Sequence, residues 1–364
     1  MKLSFKIFPT VLFLGGLAGT SGFAQAPPAS LKGFPVPEPD LVAMGIAKPG
    51  AAAKLALQQL GKALYWDMQA GSDGRTACAS CHFHAGADHR DKNQRNPGHD
   101  GVFSEHEGAN STVKTSDFPL HHLAVKDDRH SHVVSDTNDR VSSQGVFRSD
   151  FLDIVAGNAV DSANFAIDDT PFRVAGVNVR RVEPRNTPTV INAVFNRDNF
   201  WDGRADFCFN GSNPRGPSGT TNIIKMVGQT PRQQGPAPIC IPFSSLASQA
   251  VGPPLSAFEM SAAGRNWRKV GEKLLHLPAL APQRVDPTDS LLGPLVPASG
   301  PGLTTTYRAL IQAAFDPDYW DDPQEHSFRR QRKRSGNWHA REREPVHVDG
   351  VQLLAVLGAC HPEV

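Results

Sequence analysis

The sequence has no excess of charge of either sign: 37 Lys and Arg residues stand against 36 Asp and Glu, a formal net charge of +1 over 364 residues. That balance excludes the basic footprint expected of a nucleic-acid-binding protein. Cysteine is scarce, at five residues, too few to build a scaffold of this length on disulfides. No apolar run is long enough to span a bilayer. There is no internal repeat and no persistent alternation of apolar and polar residues, so no strand pattern stands out. Gly (32) and Pro (30) make the chain loop-rich, though below the level that signals disorder. The length fits roughly two domains and leaves ample material for a core.

Residues 1–26 read as an export signal. Lys2 and Lys6 give the positive start, Val11 to Ala18 the short apolar core, and Ala24 and Ala26 small residues for cleavage. An uncleaved anchor is the alternative, but the apolar run is too short to cross. The expected compartment is the periplasm, where cysteine pairs can oxidise. Residues 27–48 form a proline-rich, extended lead-in. Ala51 to Leu64 has helix-forming composition, with Leu57, Leu60 and Leu64 at helical spacing. Residues 266–276 and 304–315 also read as helical. Residues 83–135 are polar and rich in histidine and read as a long loop excursion, and 208–240, rich in Gly, Pro, Asn and Thr, resembles an inserted loop. The expectation is a mainly α, loop-rich fold. Cys208 and Cys240 bracket the second loop as either a disulfide or two free thiols, since spacing does not fix pairing.

The most specific signal is Cys78-Ala-Ser-Cys81-His82. Cys-x-x-Cys-His is the attachment signature of c-type haem: the thiols bond covalently to the two haem vinyl groups, and the adjacent imidazole of His82 is presented to the iron as proximal ligand. A structural zinc site would need a second ligand pair at matching spacing, although His84 and His89 lie close by. A thioredoxin-like redox pair would need a βαβ setting, which is missing. Nine of the 14 histidines fall between 82 and 132. Among them His99, in Pro97-Gly98-His99, is a candidate distal or gating ligand, against the plainer reading of a solvated histidine-rich loop.

Several segments together resemble the bacterial di-haem cytochrome c peroxidase family, including its relatives that mature methylamine dehydrogenase. They are Leu60 to Asp67 followed by Cys78–His82; Arg185-Asn-Thr-Pro-Thr-Val-Ile-Asn-Ala-Val-Phe-Asn196 running into Phe200-Trp-Asp-Gly-Arg204; and Gln249 to Met260. The resemblance implies a cytochrome-c-like haem domain over 49–323, with insertions at 83–175 and 208–240. It implies that Glu259 is the acid–base carboxylate and that Gln249 shapes the peroxide pocket. It places Trp201 between two haems and makes Asn186 a calcium ligand at the domain interface. It also implies hydrogen peroxide as substrate and a small electron donor, a cytochrome c or a cupredoxin. The chemistry agrees: heterolysis of a peroxide O–O bond moves a proton from the near oxygen to the far one, and one carboxylate beside an open iron can do both transfers.

The family carries a second Cys-x-x-Cys-His, expected here after about residue 330 on that resemblance; the sequence has none. Cys360 is followed by His361 but lacks a cysteine three residues earlier. The resemblance stops near Tyr319-Trp320, and 324–364 is basic and atypical, with Arg329-Arg-Gln-Arg-Lys-Arg334. A basic tail that contacts a membrane or an acidic partner is one reading. A shifted reading frame is the preferred one: read one nucleotide later, the codons for Asp349 to Val364 allow a string resembling the helix ahead of the family's second haem. Loss of that half would leave apolar interface exposed, which favours a homodimer, and would weaken turnover with a protein donor. A mono-haem electron carrier and a haem enzyme that oxidises a protein side chain are the competing functions. A carrier needs only about 100 residues for one haem.

Overall fold

The computed structural model describes residues 30, 33–104, 108–211, 214, 215, 218, 240–317 and 320. The expected export signal, the atypical tail with Cys360, and most of the 208–240 insertion lie outside them. The elements described belong to one unit that begins at Val36.

Helix α1 covers Ala51–Trp66, in the segment where Ala, Leu, Gln and Lys dominate. Asp67 ends it in extended conformation. The Asp67 carboxylate is fully buried and accepts four hydrogen bonds, from the amides of Gln69 and Leu280 at 2.8 Å, from Gln69 Nε2 at 3.0 Å, and from Tyr307 Oη at 2.5 Å. A buried carboxylate is tolerated only when its lone pairs are satisfied in this way. Near Cys78, Ala79–His82 form the single turn α2, and Ser245–Ala250 form α3. The segment Trp267–Leu275 is α4, capped by Asn266, whose side chain accepts from the Lys269 amide at 3.0 Å. Tyr307–Ala314 is α5, capped by Thr306. Leu57, Leu60, Ala63 and Leu64 of α1 share one buried cluster with Val270 and Leu274 of α4 and with Leu310, Ile311 and Ala314 of α5.

The expectation of a mainly α fold does not hold. The described residues are 23% helical and 14% strand. The 83–175 insertion and the residues just after it fold into antiparallel pairs: β1 (Arg95–Asn96) with β4 (Arg140–Val141), β2 (His121–Leu123) with β3 (Val133–Asp136), β5 (Ser149–Asp153) with β6 (Ser162–Phe165), and β7 (Arg173–Val174) with β8 (Val177–Asn178). None is longer than the five residues of β5. Strands this short carry too few residues for a period-2 pattern to show.

These hairpins are fastened to the helical part. Phe151 of β5 donates its amide to the Ala263 carbonyl at 2.9 Å, and the Ala263 amide donates to Ser149 at 2.8 Å. Asp161, just before β6, is fully buried between Arg265 (Nε at 2.9 Å) and Lys273 of α4 (Nζ at 2.9 Å). Burial lowers the Lys273 pKa to about 8. Cys208 and Cys240 form a disulfide across 32 residues of chain.

Candidate haem site

The turn that carries the cysteines is built locally. Asp73 accepts the amides of Arg75 and Thr76 through Oδ1 at 2.9 Å, and Ser80 Oγ accepts the Ala77 amide at 2.9 Å. The amides of Cys81 and His82 both donate to the Cys78 carbonyl at 3.2 Å. Both cysteines thus lie on one helical turn, half-buried and unpaired. Burial, then the neighbouring Cys81, pushes the Cys78 thiol up to about 12. Burial also raises Cys81. Thiols held protonated are poor redox nucleophiles, which argues against a thioredoxin-like pair.

His82 is held at both ends. Tyr65 Oη of α1 donates to its carbonyl at 2.7 Å. Its ring Nδ1 lies 2.9 Å from the Pro188 carbonyl. A carbonyl oxygen only accepts, so Nδ1 carries the proton and Nε2 keeps its lone pair. Burial lowers the pKa of the imidazole and favours this neutral form. This is the tautomer a metal-ligating histidine adopts, with the second nitrogen oriented by a backbone acceptor.

A strip of the insertion, Ser142–Val146, backs the site. It pairs with 181–183: Gly145 donates its amide to Arg181 at 2.8 Å, and the Glu183 amide donates to Ser143 at 3.0 Å. Cys81 Sγ lies 3.9 Å from the Gln144 carbonyl. Ser143 Oγ donates to Asp88 at 2.6 Å, and Asp88 holds Arg90, which donates to the Ser80 carbonyl of α2 at 2.9 Å. Gly145 presses on the chain at 258–259. A Cβ there would stand 1.9 Å from the Phe258 carbonyl oxygen and 2.6 Å from that of Glu259, so only glycine fits.

Glu259 is where this packing converges. Its neighbour Met260 places Sδ 4.0 Å from Cys78 Sγ. Oε2 of Glu259 is buried without a hydrogen-bond partner. Burial first, and then the facing carboxyl of Glu183, raise its pKa well above the carboxylate range, opposed by the charge of Arg204. The Glu183 carboxyl is raised as well, mainly by burial, with a hydrogen bond to Glu259 and the charges of Arg185 and Arg204 acting the other way.

The other expected site residues are not gathered here. Trp201 is 84% exposed, with the Arg185 guanidinium 5.3 Å from its ring. His99 is exposed in the loop after β1. Asn186 is exposed and donates to the Val141 carbonyl at 3.0 Å. Gln249 is half-buried at the end of α3, and among the described residues no hydrogen bond joins it to Glu259. Among the described residues no group of three His, Cys, Asp or Glu side chains could hold a metal ion.

The family model for di-haem cytochrome c peroxidase matches residues 56–151 and 159–286, more than half of the chain. The chain belongs to the di-haem cytochrome c peroxidase family. No curated protein and no solved structure shows a match to it. The family implies c-type haem, and the residues present fit that group. Two unpaired thiols share one turn, the adjacent imidazole has a free Nε2 fixed by Pro188, and an unpartnered carboxylate oxygen is buried beside Cys78. The Arg185–Asn196 motif of the peroxidase family thereby has a local role, since it contains the carbonyl that orients His82.

Proposed function

We propose that this peroxidase-family chain is an exported c-type haem peroxidase that reduces hydrogen peroxide to water with electrons from a small redox protein. Cys78 and Cys81 would hold the haem and His82 would ligate its iron. The haem, when bound, supplies the iron at which peroxide is reduced. The reaction consumes one peroxide, two electrons and two protons and yields two waters. Glu259 takes the proton from the near oxygen of peroxide and returns it to the far one, which leaves as water. Gly145 packs against the backbone that carries that carboxyl. Gln249, on the helix before Glu259, would shape the peroxide pocket, as the family resemblance implies. Asn186 would bind calcium, and Trp201 would carry electrons across the surface it occupies. His99 is kept as the candidate distal or gating ligand.

The observation that carries this reading is the buried Oε2 of Glu259, without a partner, next to the cysteine turn. A simple electron carrier has no use for such a group, because a buried carboxyl oxygen left without a partner is costly. Among the described residues no helix is long and apolar enough to cross a membrane.

The test is export of the chain in a host that matures c-type cytochromes, followed by intact-mass measurement and peroxide assays. One haem per chain and peroxide consumption with a small-molecule electron donor are expected. Turnover with a cytochrome or cupredoxin is expected to be weak, since the sequence holds one attachment motif. A chain that carries one haem and leaves peroxide untouched would overturn the proposal.

A further inference from the structure

The Glu183 carboxyl is the group that meets Glu259, and the peroxidase-family motifs in the sequence do not point to it. The meeting is enforced by backbone. Glu183 donates its amide to Ser143, two residues from Gly145, and Gly145 abuts the backbone of Glu259. The strip Ser143–Gly145 thus fixes the two residues on either side of one extended segment. Both residues are half-buried, but Glu259 keeps one carboxyl oxygen out of solvent and without a hydrogen-bond partner. On the side of Glu183 stand Arg185 and Arg204, which is 47% exposed. The remaining ionisable groups that feel Glu259 are the thiols of Cys78 and Cys81, which become neutral thioethers on haem attachment.

Resting on the peroxidase reading above, we propose that Glu183 is a positioning residue that supplies protons to Glu259. The two carboxyls hold one proton between them, and Glu183 passes protons inward from solvent. Two carboxyls that share a hydrogen bond do not both ionise, because like charges in a poorly solvated site repel strongly. The chemistry needs such a supply. Glu259 shuttles a proton between the two peroxide oxygens, but each turnover also takes two protons from solvent, and a buried carboxyl cannot collect them itself. Glu183 meets Glu259 and feels the charges of both Arg185 and Arg204, whereas of the two only Arg204 acts on Glu259.

The test compares Glu183→Gln, Glu183→Asp and Glu183→Ala with the parent protein. The first readout needs no turnover: infrared difference spectra at neutral pH. The parent is expected to show a protonated carboxyl band that shifts or disappears in Glu183→Gln, while the melting temperature stays close to that of the parent. A band unchanged in position and size overturns the proposal. In the haem-loaded protein, Glu183→Gln is expected to lower kcat roughly 10- to 100-fold without raising the peroxide KM. Glu183→Asp should recover most of the rate, and formate added to Glu183→Ala should restore turnover. Loss of rate that neither aspartate nor formate repairs also overturns it. The outcomes separate the two claims. A band that moves in a protein that ignores peroxide removes the peroxidase reading and keeps the pair. An active peroxidase with an unmoved band does the reverse.

Discussion

The imidazole of His82 donates from Nδ1 to the carbonyl of Pro188, 2.9 Å away and 106 residues later in the chain. A hydrogen bond at this position increases the basicity of the opposite nitrogen and fixes the plane of the ring. In Pro188→Gly the backbone at 188 gains freedom, and the bond should weaken. A less basic ligand stabilises ferric iron less well. The haem midpoint potential should therefore rise, as read by spectroelectrochemistry. An unchanged potential would show that the Pro188 carbonyl does not tune the ligand.

Glu259→Gln removes the proton acceptor while preserving shape. The rate of reaction with peroxide should fall about 10²- to 10⁴-fold, the range for loss of a general acid–base group. The pH profile gives the sign. Glu259 must be ionised to accept a proton, and burial together with Glu183 raises its pKa. The parent rate should therefore climb with pH through a midpoint above the usual carboxylate range, and the variant should lose that climb. Stopped-flow mixing across a pH series checks both expectations.

Asp161 sits between Arg265 Nε and Lys273 Nζ, each 2.9 Å away, with all three side chains out of solvent. Asp161→Ala leaves two cations buried and facing each other. Breaking a buried pair on one side costs about 3–5 kcal/mol. Urea unfolding of the variant should show a loss of that size, and little loss would mean water reaches the cluster.

Gly145→Ala tests the close approach to Phe258. A methyl group 1.9 Å from a carbonyl oxygen must push the strip and the 258–259 segment apart. Overpacking of this kind costs about 1–3 kcal/mol. The same displacement moves Glu259, so peroxide turnover should drop further than stability alone would require at a temperature where the variant remains folded. A variant with parental activity would show that the strip does not position the carboxyl.

Helices α1, α4 and α5 were legible because each has a stretch of periodic apolar residues and, for the last two, a capping side chain at its start. The cysteine turn was legible because its chemistry is confined to five residues. The hairpins were not, since strands of two to five residues hold too little pattern. The partners of His82 and Glu259 were hidden for another reason. Pro188 acts through a backbone carbonyl, which no side-chain motif encodes, and Glu183 meets Glu259 only because both rest on the strip beside Gly145. The family resemblance placed Trp201 between two haems but carried no information on its exposure, and the ring lies on the surface under Arg185.

The turn from Cys78 to His82 closes within itself, while everything that covers it arrives from distant chain: the strip at 142–146, the carbonyl at 188, the carboxyl at 259. Local contacts cost little loop entropy and form early, whereas distant ones wait for the larger chain to collapse. The order of assembly follows from this. The two thiols are displayed on a finished turn while their surroundings are still open, and the water-excluding walls close last. The newly made chain has an interval in which Cys78 and Cys81 can be reached for haem attachment, and folding itself ends that interval.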